Sequence, residues 1–163
     1  GNSLPHKYRV GGDWTNFRPD KRLFGYKIFD KENEMTIRKK SFRSGPYAEL
    51  IAQAVQVDNV LYISGQVGMD DSGQAPADIT EQTVLAYENI KSVLAEFGAE
   101  MSNIVDETFF VTNVKEVMQN VESVFAAREA AYGQAPEVSQ TLIGISALVD
   151  PTLKIEIKCI AHL

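Results

Sequence analysis

One cysteine, Cys159, and two histidines, His6 and His162, are all that this chain of 163 residues has of the side chains that build disulfide frameworks and structural zinc sites. A lone cysteine closes no internal disulfide. The histidines stand at opposite ends without a cysteine beside them, so no structural metal is expected. Long apolar runs are missing too: nothing approaches the roughly 20 residues that a membrane helix needs, and the polar start Gly1-Asn-Ser-Leu-Pro has no signal-peptide core. The expectation is a soluble cytoplasmic protein. Gly1 in place of Met suggests a removed expression tag, with Met35 as a candidate natural start.

Cations are scarce over most of the chain. Residues 1–43 hold 11 Lys and Arg against five acids, net +6, whereas residues 44–163 hold five against 17, net -12. A basic arm on an acidic body either recruits a polyanion or lies against an acidic surface of its own or a neighbouring subunit. The second reading is preferred, because Trp14, Phe17, Leu23, Phe24, Tyr26, Ile28 and Phe29 are interspersed among the arm's charges and call for burial. The length suits one domain with an appendage: an extension over 1–43 and a domain over 44–163.

Periodicity predicts the elements. The arm has strand-like pieces around 25–30 and 35–42. Residues 49–57 and 60–64 read as strands joined at Asp58-Asn59, and 67–77, with Gly68, Gly73 and Pro76, reads as a loop. Asp78-Ile-Thr-Glu81 has the spacing of a capping box, after which Thr83, Tyr87, Ile90, Leu94 and Phe97 line one face of a helix stopped at Gly98. A strand over 105–112 follows. Asn113-Val-Lys-Glu116 repeats the cap, and Val117, Val121, Val124, Arg128 and Ala131 run down a second helix ending at Gly133. Strands at about 139–146 and 153–161 complete the order β-β-α-β-α-β-β. This predicts an α+β sandwich, a mixed sheet with both helices on one face and a hairpin at each end. Strands apolar on both sides, such as Leu142-Ile-Gly-Ile145, place the other face against another subunit.

Seven short signatures then fall in register: Ser44-Gly-Pro-Tyr47, Ala54-Val-Gln-Val57, Ser64-Gly-Gln66, Glu88-Asn-Ile-Lys91 with Val93-Leu94, Phe110-Val-Thr112, Asp150-Pro151 and Lys154-Ile-Glu-Ile157. Over residues 44–163 the chain resembles the Rid (YjgF-like) family of imine and enamine deaminases, some of whose members are described as endoribonucleases of the L-PSP type. The resemblance implies a chorismate-mutase-like fold, a homotrimer with ligand clefts at its interfaces, and neither metal nor organic cofactor. It also implies hydrolysis of 2-imino acids to 2-keto acids and ammonia. In that scheme an arginine grips the carboxylate, a glutamate on the last strand positions water, and backbone near Ser-Gly-Gln and a tyrosine close the pocket.

Carried onto this chain, the glutamate is Glu156, and the substrate-binding candidates are Tyr47, Ser64, Gly65, Gln66, Gln140 and Thr141. Glu156 shares a strand face with Lys158, and its plainer reading is a solvated carboxylate or a partner of Lys158. The arginine is the departure. Counting from Gly144 and Asp150-Pro151 places Gln140 there, counting from Pro136 places Val138, and residues 130–150 contain no Lys or Arg. A glutamine cannot neutralise a carboxylate, which puts ordinary imino-acid deamination in doubt. Arg9, Arg18, Arg22, Arg38 and Arg43 of the arm are candidate replacements. Tyr47 reads equally as a pocket residue or as a staple at the first core strand, and Cys159 as a buried structural thiol rather than a nucleophile. Three functions follow: a Rid-like hydrolase of a small reactive imine, enamine or related metabolite; a non-catalytic small-molecule binder using the same cleft; or an RNA-binding endoribonuclease or translation inhibitor, which the acidic body disfavours.

Overall fold

A computed structural model describes residues 36–163, and Ile37–Leu163 form one compact unit. The expected strand at 25–30, the arm's Trp14, Phe17, Leu23, Phe24, Tyr26, Ile28 and Phe29, and Arg9, Arg18 and Arg22 lie outside the described residues. Among the described residues six strands form one sheet: β1 (Lys40–Phe42), β2 (Ala54–Val57), β3 (Val60–Val67), β4 (Ile104–Val111), β5 (Ser139–Gly144) and β6 (Ile155–His162). Their spatial order is β1-β2-β3-β6-β4-β5, antiparallel except for the β4–β5 pair.

The expected hairpin at Asp58-Asn59 is present, with Val57 opposite Val60 and Asp58 at φ 52°, a left-handed conformation that aspartate tolerates better than most residues. Its first strand is shorter than the sequence pattern predicts. Gly45, at φ 75°, and Pro46 start a turn whose Tyr47 carbonyl accepts from the Leu50 and Ile51 N–H groups, so the chain becomes extended only at Ala54.

No hairpin forms at the other end. The sequence pattern pairs the last two strands, but β6 lies between β3 and β4, and β5 pairs with β4 in parallel. The cause is burial. Ile155, Ile157, Cys159 and Ala161 are all fully buried, which suits a central strand with neighbours on both sides.

Helix α1 (Ile79–Ala95) starts where Asp78 accepts from the Thr80 and Glu81 N–H groups and buries Thr83, Tyr87, Ile90 and Leu94, as its spacing predicts. The second helical stretch is two helices, α2 (Val114–Gln119) and α3 (Val121–Tyr132). They break at Asn120, whose φ of -113° and ψ of 22° are not helical and whose side chain donates to the Glu116 carbonyl. An asparagine amide offers the backbone a local alternative to the helical bond. Gly133, left-handed at φ 72°, ends α3 as expected.

The helices cover one face of the sheet, where Leu61, Ile63, Phe109, Val111 and the odd-numbered residues of β6 meet Tyr87, Ile90, Leu94, Val117 and Val124. Fully buried Gln82 ties the connection before β6 to this layer: its amide donates to the Pro76 and Thr152 carbonyls and its oxygen accepts from the Lys154 N–H. No helix among the described residues is long and apolar enough to cross a membrane.

Candidate functional site

Strict alternation along β6 sends its buried odd-numbered residues toward the helices and Glu156, Lys158 and Ile160 to the far face of the sheet. Register then chooses their neighbours. Glu156 lies opposite Val67 of β3 and Phe110 of β4, and Phe110 opposite Ile143 of β5. One row along, Lys158 lies opposite Thr108, and Thr108 opposite Thr141. The far face therefore carries a row with a carboxylate flanked by apolar side chains, beside a row with an ammonium and two hydroxyls.

A β-bulge in β3 makes room for the carboxylate. Between Ile63 and Gln66 the register with β6 shifts, so that Ser64 and Gly65 together stand against Lys158. Gly65 comes to lie under the Glu156 carboxylate, and a Cβ there would run into Oε1, Cδ and Cγ of Glu156. Among the described residues Glu156 has no hydrogen-bond or ion-pair partner. Burial raises its carboxyl above the usual glutamate range, with the charge of Lys158 pulling the other way.

The other residues expected in the site are distributed as follows. The Ser64 hydroxyl donates to the Ala52 carbonyl at 2.6 Å. Gln66, 7% exposed, donates to Gln53 Oε1 at 2.9 Å and to the Ser64 carbonyl at 3.1 Å, so both side chains brace the bulge. Thr141 is exposed on the face of Glu156. Tyr47 is half exposed in the turn before β2, with no hydrogen bond to Glu156 among the described residues. Gln140 turns the other way: it lies opposite Glu107 on the helix side, in phase with Val138 and Leu142, which pack against the core. Its buried Nε2 has no partner among the described residues. Both positions to which the sequence assigned the family arginine thus share a parity that points away from Glu156. Of the described arm arginines, Arg38 is exposed and Arg43 donates to the Ala48 carbonyl at 2.9 Å.

A second polar cluster lies inside the helix layer. Glu107, fully buried on β4, accepts from Arg128 Nε of α3, from the Tyr87 hydroxyl of α1 at 3.0 Å and from the Tyr132 hydroxyl at 2.8 Å. Burial, followed by the negative charge of Glu107, pushes both phenols above the usual tyrosine value. Sequence reasoning set Arg128 on an apolar stripe but missed its partner. The available signal was the parity of Glu107 with Phe109 and Val111. Cys159 is Glu107's neighbour across β6, and burial, then the charges of Glu107 and Asp106, push its thiol up. A concavity of about 370 Å³ lined by Lys91, Glu100, Met101, Ser102 and Tyr132 lies at the end of the helix layer and includes none of the far-face residues.

Residues 43–163 match the family described as Endoribonuclease L-PSP. The chain is similar to the 2-iminobutanoate/2-iminopropanoate deaminase of Mus musculus, 34% identical over 120 residues that cover 68% of this chain and 86% of that protein. It is 39% identical to a RutC family protein of Buchnera aphidicola over 74 residues, 45% of this chain and 55% of that relative's length. Among solved structures, YyfA of Yersinia pestis, a protein of unknown function in the conserved Rid family, superimposes with a TM-score of 0.66 at 27% identity, covering 77% of this chain and all of that one. With the same α+β sheet and a match over most of its length, the chain belongs to the Endoribonuclease L-PSP family, the YjgF/Rid group.

Proposed function

We propose that the chain is a Rid-type hydrolase of the deaminase kind, acting on a small reactive imine, enamine or related metabolite. Its cleft is completed by another copy of the chain in a homotrimer. The observation that carries this reading is the Glu156 carboxylate, half-buried over Gly65 and without a partner among the described residues. A carboxylate held with little competing hydrogen bonding and a raised pKa suits a general base for water. For an iminium substrate, the water oxygen bonds to the imine carbon while its proton passes to Glu156. The same carboxyl returns that proton to the nitrogen of the carbinolamine, the C–N bond breaks to release ammonia, and the hydroxyl proton, taken up by Glu156 as the carbonyl forms, passes to the ammonia. The products are a ketone carbon and ammonium, so one water is consumed for each C–N bond cleaved.

Gly65 supports the reading by the close approach it allows, and Thr141 by its place on the same face. Ser64 and Gln66 act through the shape of the bulge. Tyr47 needs a neighbouring copy to join the cleft, and Gln140, on the helix side of the sheet, stays out of it. The exposed apolar groups of the far face, Tyr62 at 47% and Ile143 at 41%, fit a surface that such a copy covers. The mouse relative's name supports the imine substrate class. The test generates 2-imino acids in situ with an amino-acid oxidase, lets semicarbazide compete for them, and compares the chain with Glu156→Ala. Faster keto-acid formation that the variant loses supports the hydrolase. Equal, background rates from both leave a non-catalytic binder.

A further inference from the structure

Ser64 and Gly65 stand where strand pairing gives them least support. The last β2–β3 pair is Ala54 opposite Ile63, and on the other side the register of β3 with β6 breaks between Ile63 and Gln66. A bulge disrupts the ladder where it forms, so its shape rests on other bonds. Residues Ala52 and Gln53 supply them. The Ser64 hydroxyl donates to the Ala52 carbonyl at 2.6 Å, the Ser64 N–H to the Gln53 carbonyl at 2.9 Å, and Gln66 Nε2 to Gln53 Oε1 at 2.9 Å.

Gln53 also reaches the other way. Its Nε2 donates to the Ser44 carbonyl at 3.2 Å, and its backbone N–H to the Phe42 carbonyl at 2.8 Å. Ser44 leads into the turn that presents Tyr47, which is half exposed. The side-chain amide of Gln53 therefore has its oxygen on the bulge and its nitrogen on the turn.

We propose that Gln53 is a positioning residue: its amide fixes the bulge that seats the Glu156 carboxylate over Gly65, and locks the Tyr47 turn to that seat. For its effect on catalysis the proposal rests on the preceding reading of Glu156 as the base. The action passes through Gly65, whose backbone lies so close under Glu156 that a Cβ would run into the carboxylate. A displaced bulge must therefore move the carboxylate or open its seat to water. An amide suits this place because it accepts and donates at once. An apolar side chain does neither, and a carboxylate has no donor for Ser44.

Two measurements on the full chain read the seat and the chemistry separately. Titration of the Glu156 carboxyl by 13C NMR reads the seat. Burial raises that carboxyl, while Lys158, its charged neighbour on the strand face, opposes the rise. A loosened seat admits water, so in Gln53→Met the titration should move back toward the ordinary glutamate range. Gln66→Met removes the same bond from its other end and should shift the titration in the same direction, with the double variant shifting it by less than the sum. Gln56→Met, also on β2, loses a bond to the Asp58 carbonyl and should titrate as wild type. In the imine assay, kcat of Gln53→Met should fall by about tenfold or more with a smaller change in KM, and Gln56→Met should match wild type. Far-UV circular dichroism checks folding, and where Gln53→Met does not fold, Gln66→Met carries the comparison. A Glu156 titration unchanged in the folded variant, or additive shifts in the double variant, overturns the proposal. A shifted titration without Gln53-dependent turnover upholds the seat and removes only the reading of Glu156 as the base.

Discussion

The carboxylate of Glu156 occupies the space that a side chain at Gly65 would need, so the bulge in β3 and the acid on β6 form a matched pair. Gly65→Ala must either move the carboxylate or distort the bulge. Overfilling of this kind costs about 1–3 kcal/mol, read from a urea denaturation midpoint. Turnover in the imine assay should fall by more than stability accounts for, toward about a hundredfold, since misplacing a reacting group by about 1 Å has that effect. Wild-type turnover in a stable Gly65→Ala protein would remove Glu156 from the chemistry.

Burial raises the carboxyl of Glu156, and Lys158 only partly opposes the shift. A raised folded-state pKa means that the folded chain binds this proton more tightly than the unfolded chain does. The cost of the charge is therefore absent below the ordinary glutamate range, appears as pH rises through the folded value, and stays constant above it. Glu156→Gln should melt higher than wild type at neutral pH, and the gap should close on acidification. For an enzyme with Glu156 as base, the acid limb of kcat/KM should lie above the ordinary glutamate pKa of about 4.3. A gap that widens on acidification would contradict the stated burial.

Inside the helix layer, Glu107 is fully buried and holds Arg128, Tyr87 and Tyr132 together. Removing one member of a buried ion pair leaves the other uncompensated, at about 3–5 kcal/mol. Urea denaturation of Glu107→Ala and Arg128→Met should show losses of that order, against a total stability for such domains of about 5–15 kcal/mol. The double variant Glu107→Met with Arg128→Met should be more stable than the sum of the two losses allows. Simple additivity would show that the pair does not act as a unit.

Cys159 is fully buried, and its thiol is pushed up by that burial and by the acids around it. The thiolate is the reactive form, so a disulfide reagent such as DTNB should leave the folded protein unlabelled and react with one thiol per chain in denaturant. Rapid labelling of the folded chain would contradict this burial.

Much of the fold was legible in local pattern. The cap at Asp78, the spacing from Thr83 to Leu94, the turn at Asp58-Asn59 and the stop at Gly133 each follow from a few neighbouring residues, and each appears in the structure. The errors have two origins. A break at Asn120 and a late start for β2 depend on local hydrogen bonds that compete with periodicity, while the place of β6 depends on which strands it meets. Alternation along β6 was enough to put Glu156 and Lys158 on one face, but not to say what stands opposite them.

By itself the sequence determined the succession of strands and helices apart from the break at Asn120, the acidic body with few cations, and the alternation that puts Glu156 and Lys158 on one face of their strand, because these follow from composition or from near neighbours along the chain. Tertiary structure alone decided that β6 lies between β3 and β4, that Glu107 meets Arg128, that Gln140 faces away from Glu156, and that Thr108 and Thr141 line up with Lys158. The place of β6 is set by long-range strand pairing, and the neighbours of Gln140, Thr108 and Thr141 by register, for which a slip of one residue would send a strand's side chains to the opposite face.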